Sequence, residues 1–359
     1  MEGEFELIAA LAKRIEGHRD FDGVVCGIGD DTAVLGFDAV DTPRLLATVD
    51  LLAEGIHFDR RHIDGRSLGE RALVVNLSDI AAMGGIPRYA LVSLAIPREF
   101  PRGYLEEIYT GLADAGSRYR TAVVGGNVSS SKRGLIVDVT VMGEVARPVY
   151  RSGARPGEVI AVSGTLGASA AGLRWLSRGE GARGPSDIEE HVCRCVRAHT
   201  RPVPRLELGA LLGELGATSM IDISDGLSSE VNHLAEKSIA TMAIFGGAIP
   251  VDESARVLAG EMDVDPLDFA LFGGEDYELL FTIPSKLWPE IAKNAERIGI
   301  TISPVGRVFS GEEASAYLEV TGKLRVNPSA EPADRHWVGQ VAGEWTTLRP
   351  GGWNHLRRT

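Results

Sequence analysis

Cysteine is nearly absent: 359 residues contain only Cys26, Cys193 and Cys195. Three thiols make neither a disulfide framework nor a zinc quartet, which points to a reducing compartment, the cytoplasm. Basic charge is also short. Thirty-seven Lys and Arg face 50 Asp and Glu, a formal net charge of −13, and no basic stripe offers itself to nucleic acid. No apolar run reaches the ~18 residues of a membrane span. The opening MEGEFELIAALAKRIEG lacks the basic leader of a secretory signal. What is plentiful is glycine, 43 residues gathered in short turns, as expected where a chain reverses sharply or its backbone must be closely approached.

Apolar residues at 44% and charged residues at 24% are an ordinary globular mixture, and the length suggests two domains of about 100–200 residues each. Residues 4–16 have the apolar spacing of an amphipathic helix. The turn-rich CGIGDDTAVLGFD (26–38) follows, then a short apolar strand, LLATV (45–49), running into Asp50. Residues 66–83 read as a helix with Leu68, Ala72, Val75 and Ala82 on one face, stopped by Gly84-Gly85 and Pro87. RYALVSLAI (88–96) reads as a buried strand, 101–119 as a helix, TAVVGG (121–126) as a strand plus turn, and LIVDVTVMGEV (135–145) as an alternating strand.

The Pro/Gly-rich stretch RPVYRSGARPGE (147–158) places a domain boundary after residue 147, giving domains 1–147 and 148–359. The second half predicts a strand at 158–164, helices at 166–177 and 186–199, and a strand into DISDGL (222–227). A helix at 226–237, a strand near 240–245 and a helix–turn–strand over 266–283 complete it. Cys193 and Cys195, two apart on a helix, face different ways. Strands and helices intermingle throughout, so each domain is expected to be α/β or α+β.

Carboxylates recur at turns and element ends: Asp30-Asp31, Asp50, Asp79, Asp222 with Asp225, and Glu275-Asp276. Aspartate favours turns and helix caps on its own account, which explains any one of them. Convergence would explain all of them. Two carboxylates ~4 Å apart repel by about 4 kcal/mol at an effective dielectric of 20, so such a group needs protons or a hard cation, and Mg²⁺ with bridging phosphates fits. VVGGN (123–127) offers bare backbone N–H groups to a phosphate or is simply a turn. Neither a Walker A motif nor a Rossmann glycine fingerprint occurs, so nucleotide binding would rest on metal, backbone and an arginine.

In order, GEFELI (3–8), GIGDDTAVL (27–35), DLLAEGIHF (50–58), NLSDIAAMGG (76–85), VVGGN (123–127), RSGARPGE (151–158), DISDGL (222–227), GGEDYELLFT (273–282) and GWNHL (352–356) span nearly the whole chain. Together they resemble the thiamine-monophosphate kinases of the aminoimidazole ribonucleotide synthetase-like superfamily. The resemblance implies two domains, an N-terminal sheet domain that dimerises and a C-terminal α/β domain. It implies transfer of the ATP γ-phosphate onto thiamine monophosphate, with Mg²⁺ as cofactor, in a homodimer. Metal positions carry over to Asp31, Thr48, Val49, Asp50, Asp79, Asn127, Asp222 and Asp225. Nucleotide positions fall on Gly125, Gly126, Asn127, Arg151 and Ser224, and substrate positions on His57, Glu275 and Trp353. Asp50, Asp222 and Arg151 would carry catalysis.

Two residues depart from the pattern. Val49 stands where threonine is usual and could ligate only through its carbonyl. Asn127 replaces an aspartate, which removes one charge but leaves a carbonyl oxygen. A synthetase of the same superfamily that phosphorylates an amide or carboxylate oxygen is the alternative. A non-enzymatic cation-binding protein is the rival outside that class.

Overall fold

The computed structural model describes residues 24–26, 29–36, 43–179, 186–311, 314–320 and 344–351. The helix expected at 4–16 and the substrate position Trp353 lie outside these residues. The described chain divides into two compact units, one within 1–80 and 85–148, the other made of 81–84 and 149–351. Among the described residues, no helix is long and apolar enough to cross a membrane.

The first unit contains β1 (Val24–Cys26), β2 (Ala33–Leu35), β3 (Arg44–Ala53), α1 (Gly65–Ala82), β4 (Ile86–Pro97), α2 (Arg102–Tyr119), β5 (Ala122–Ser131) and β6 (Ile136–Val145), whose strands form a sheet in the order β1-β2-β3-β6-β4-β5. β6 alternates half-buried and buried residues along its whole length. Its inward side chains, Val137, Val139 and Val141, are fully buried. That period-2 pattern marks a sheet with one face on a core and the other open. Asp64 caps α1, accepting from Ser67 N–H at 2.7 Å and from Ser67 Oγ at 2.9 Å. Burial of α1 extends beyond the face of Leu68, Ala72, Val75 and Ala82. From Ser67 to Ala82 every residue is buried except Asp79, because the helix is covered by the sheet and by α2.

α1 and α2 meet backbone to backbone. A Cβ added at Gly69 would lie 2.0 Å from the Ile108 carbonyl oxygen, and one at Gly111 would lie 1.9 Å from that of Arg66. Only glycine permits this crossing.

Two strands differ from expectation. β3 does not end at Val49 but continues to Ala53, so Asp50 sits inside a strand. β5 does not turn at Gly125-Gly126 but runs on to Ser131 beside β4. In both places continuous ladder hydrogen bonding outweighs the local polar or glycine residues. β4 is half open rather than buried, with Tyr89 52% and Leu91 38% exposed.

The second unit contains β7 (Val159–Ser163), α3 (Ala168–Ser177), α4 (Glu189–Thr200), α5 (Leu206–Leu215), β8 (Ser219–Asp222), α6 (Leu227–Ser238), β9 (Thr241–Phe245), α7 (Glu253–Met262), α8 (Pro266–Phe272), β10 (Leu279–Ile283), α9 (Trp288–Arg297), β11 (Ile302–Phe309), β12 (Ser315–Glu319) and β13 (Trp345–Thr347). The sheet order is β13-β12-β9-β11-β7-β10-β8. Pairing is antiparallel except between β12 and β9. β7, β8, β9 and β10 are buried at every residue, since helices cover both faces. Ile160, Val162 and Leu280 enter one core with Trp175, Val192 and Leu227. Val159, Ala161 and Phe281 enter the other with Leu208, Trp288 and Ile291. Cys195 is buried and Cys193 exposed, as their spacing required.

The α1–α2 crossing sets an expectation for stability. Gly111→Ala should destabilise the protein by about 2–4 kcal/mol, since neither backbone can yield to a methyl group. Gly103→Ala, in the same helix with nothing within 4 Å of an added Cβ, should be neutral or slightly stabilising. Urea denaturation of the two variants measures the difference.

Candidate functional site

In the first unit the pleat of β3 sorts its residues. Thr48 and Asp50 share a face with the buried Leu46 and Leu52, towards the core, whereas Val49 and Leu51 point to the open face at 58% and 47% exposure. On β3, the partners of β2 are Leu45–Ala47, with Ala33 opposite Ala47. The turn Asp30-Asp31, just before β2, therefore lies beside Thr48. Asp79, the half-buried exception on α1, faces the same place: Thr48 Oγ1 donates to Asp79 Oδ2 at 2.5 Å. A carboxylate oxygen of the buried Asp31 lies within 4.8 Å of one of Asp79. Oxygen donors alone make up this group, which suits a small hard cation.

Asp50 stands close by in sequence and charge. Burial, and secondarily the negative charge of Asp138, push its carboxyl up to about 6. A cation beside it would reverse that shift. Asp138 occupies β6 opposite Leu51 and was not singled out from sequence, where it looked like one polar position of an alternating strand.

Gly125, Gly126 and Asn127 lie together in β5. A Cβ at Gly126 would fall 1.8 Å from the Val92 carbonyl oxygen, so this position admits only glycine. Between β5 and α2 opens a groove of about 920 Å³, lined by Tyr109, Leu112, Arg120 and the run Gly125–Val128. Tyr109 was invisible to motif reasoning because nothing around it marks a site. It becomes a candidate only through the groove. His57 sits in the turn after β3, where its Nδ1 accepts the Ala53 N–H at 3.0 Å. The proton of the neutral ring is thereby left on Nε2.

In the second unit Asp222 ends β8 and is 3% exposed, while Ser224 and Asp225 are half-buried in the loop that leads to α6. The 275–278 segment lies along that loop. Glu275 N–H donates to the Ser224 carbonyl at 2.7 Å and Tyr277 N–H to that of Ile223 at 2.9 Å. Glu275 and Tyr277 both adopt left-handed backbone conformations, φ +62° and +51°, which cost of order 1–3 kcal/mol each and persist only where surroundings impose them. The buried His199 holds Glu275, its Nδ1 3.1 Å from Oε2. Asp276 turns the other way: its Oδ2 accepts the Gly167 N–H at 2.8 Å, at the start of α3. Burial pushes its carboxyl up to about 8 despite that hydrogen bond, with Glu278 adding to the effect. Arg151 stands beside His233, whose imidazole is driven down to about 4 by burial first and by the cations Arg151 and Lys237 next.

Each unit thus gathers its own share of the expected residues: Asp31, Thr48 and Asp79, with Asp50 on the same face of β3, in the first, and Asp222, Ser224, Asp225 and Glu275 in the second. Val49 is turned away, which leaves only its backbone for the role the resemblance gave it.

This fold, with its carboxylate-bearing first unit, is that of the AIR synthase-related class. Residues 29–145 match the family model "AIR synthase related protein, N-terminal domain". Among curated proteins, the thiamine-monophosphate kinase of Aquifex aeolicus is 36% identical over 86% of this chain and 92% of its own length. The Bacillus subtilis enzyme of the same name is 33% identical over 88% and 94%. A solved structure, AaThiL complexed with AMPPCP and TMP, superposes with a TM-score of 0.77 at 35% identity, covering 92% of this chain and 96% of that one. The hydrogenase maturation protein HypE, at 20% identity and a TM-score of 0.61, shares the fold alone. The chain belongs to the thiamine-monophosphate kinase family.

Asp276 makes stability depend on pH in a stated direction. Its folded pKa of about 8 lies above that of an unfolded aspartate, so the folded state holds the extra proton between about pH 4 and 8. Its contribution is complete below about pH 4 and is lost as pH rises through about 8. Asp276→Asn retains an acceptor for Gly167 N–H and has no proton to lose. The fall in Tm between pH 5 and 8 should therefore be shallower in the variant than in the wild type.

Proposed function

We propose that the protein transfers the γ-phosphate of ATP to thiamine monophosphate, forming thiamine diphosphate and ADP. The oxygen-only group Asp31–Thr48–Asp79 carries this reading, in a chain 35% identical to a protein solved with AMPPCP and TMP. Asp31, Thr48, Asp50 and Asp79 in the first unit, and Asp222 and Asp225 in the second, are assigned to Mg²⁺. The Val49 carbonyl and the Asn127 amide oxygen are candidates to complete its ligands. When bound, the metal would supply the positive charge that a chain of net charge −13 lacks.

The acceptor is itself a phosphate oxyanion, so the nucleophile needs no strong base. The protein's task is to align two polyanions for in-line displacement. Arg151 supplies a fixed positive charge to the phosphates, and the depressed pKa of His233 keeps a neutral neighbour beside it. Gly125, Gly126 and Asn127 edge the groove that Tyr109 lines, a shape suited to the nucleotide, and Ser224 adds a hydroxyl. Glu275, held by His199, presents a carboxylate to the cationic thiazolium. His57 and Trp353 are the other substrate contacts.

The open face of the first sheet supports a homodimer. Val49, Leu51, Tyr89 and Leu91 are 38–58% exposed on strands that flank β6 on either side, an apolar surface of the kind that marks an interface. A cytoplasmic location fits a chain with only three cysteines.

Two measurements test these readings. Asp50→Asn and Asp79→Asn should lower kcat by roughly 10²–10³ or more while changing KM for thiamine monophosphate far less. A near-normal kcat at saturating Mg²⁺, or ATP turnover with no thiamine diphosphate formed, would favour the alternative synthetase. Leu91→Glu should turn a species of twice the chain mass into a monomer in light scattering. An unchanged mass would remove this face as the contact.

A further inference from the structure

The loop between β8 and α6 is held from two sides. On the first, the amides of Glu275 and Tyr277 bind the carbonyls of Ser224 and Ile223, at 2.7 and 2.9 Å. On the second stands Glu230, from the first turn of α6. Its Oε1 accepts the N–H groups of Ser224 at 3.0 Å and Asp225 at 2.8 Å. Each of the two peptide planes, 223–224 and 224–225, is therefore fixed at both ends, its N–H by Glu230 and its C=O by the 275–277 segment.

Glu230 is 2% exposed, and its second oxygen, Oε2, has no hydrogen-bond partner among the described residues. Burying a carboxylate beside Asp222 and Asp225 is unfavourable, and an apolar side chain would fit such a place with less penalty. What an apolar side chain cannot do is receive two amides. Without an acceptor, both N–H groups would turn towards water, and rotation of their peptide planes would carry the Asp225 side chain with them.

We infer that Glu230 is a positioning residue, which ligates no cation itself but sets the turn that presents Asp222 and Asp225. The inference rests on the assignment of those aspartates to Mg²⁺.

The test titrates the full-length protein with MnCl₂ and reads free Mn²⁺ by electron paramagnetic resonance, with Asp222→Asn marking the site concerned. Glu230→Leu should weaken that site about tenfold or more, the loss expected when two buried amides lose their acceptor. Glu230→Gln keeps the carbonyl acceptor and removes the charge, and should stay within about threefold of wild type. Wild-type affinity in Glu230→Leu overturns the inference. So does a loss in Glu230→Gln as large as in Asp222→Asn, because Glu230 would then act on the cation through its charge. This second comparison decides the matter even if the leucine variant does not fold. Wild-type affinity in Asp222→Asn overturns the cation reading of the loop itself, a failure distinct from that of Glu230.

Discussion

Mutual repulsion of carboxylates is the constraint around which both units are built. In a chain of net charge −13, Asp31 and Asp79 are brought within 4.8 Å of each other at the edge of a buried helix. Asp50 is desolvated beside Asp138. Glu230 is enclosed next to Asp222 and Asp225. Such placements oppose folding unless protons or cations offset them. The stability that tolerates them comes from elsewhere: from α1, buried on nearly every side, and from the double-faced core of the second sheet.

Most of the architecture was legible in the sequence because apolar periodicity carries it. The alternation in 135–145 and the apolar runs near 159, 241 and 279 each became strands within a residue or two. Failures arose where local chemistry and tertiary pairing disagree. Gly125-Gly126 looks like a turn but is an extended edge, since β4 supplies a ladder and Val92 leaves room only for glycine. Asp50 looks like a strand end but is paired with Val139 in mid-strand. The sequence of 66–83 shows one apolar face, and no periodicity announces that a second helix will cover the other side.

The site was legible to the extent that its residues sit in short motifs. The aspartates of NLSD and DISDGL, and the glutamate of GGED, are visible by spacing and by resemblance. The residues that hold or perturb the site's acids are not. Glu230, His199 and Asp138 lie 5, 76 and 88 residues from the groups they act on in the cited contacts. The first hides in an unremarkable helix, the second in a helix with no motif and the third in a strand whose alternation already explains a polar residue. Pairing of this kind carries no motif, and only the folded chain reveals it.

The glycine crossing of α1 and α2 has a mechanical consequence. Two helices in side-chain contact can slip by exchanging rotamers, but Gly69 and Gly111 place one backbone directly on the other, and bare backbones have no rotamers to exchange. α2 forms a wall of the groove through Tyr109 and Leu112, and α1 carries Asp79. A guest that pushed on α2 would find no slack at the crossing, so the two helices must move as one stiff lever or stay still together.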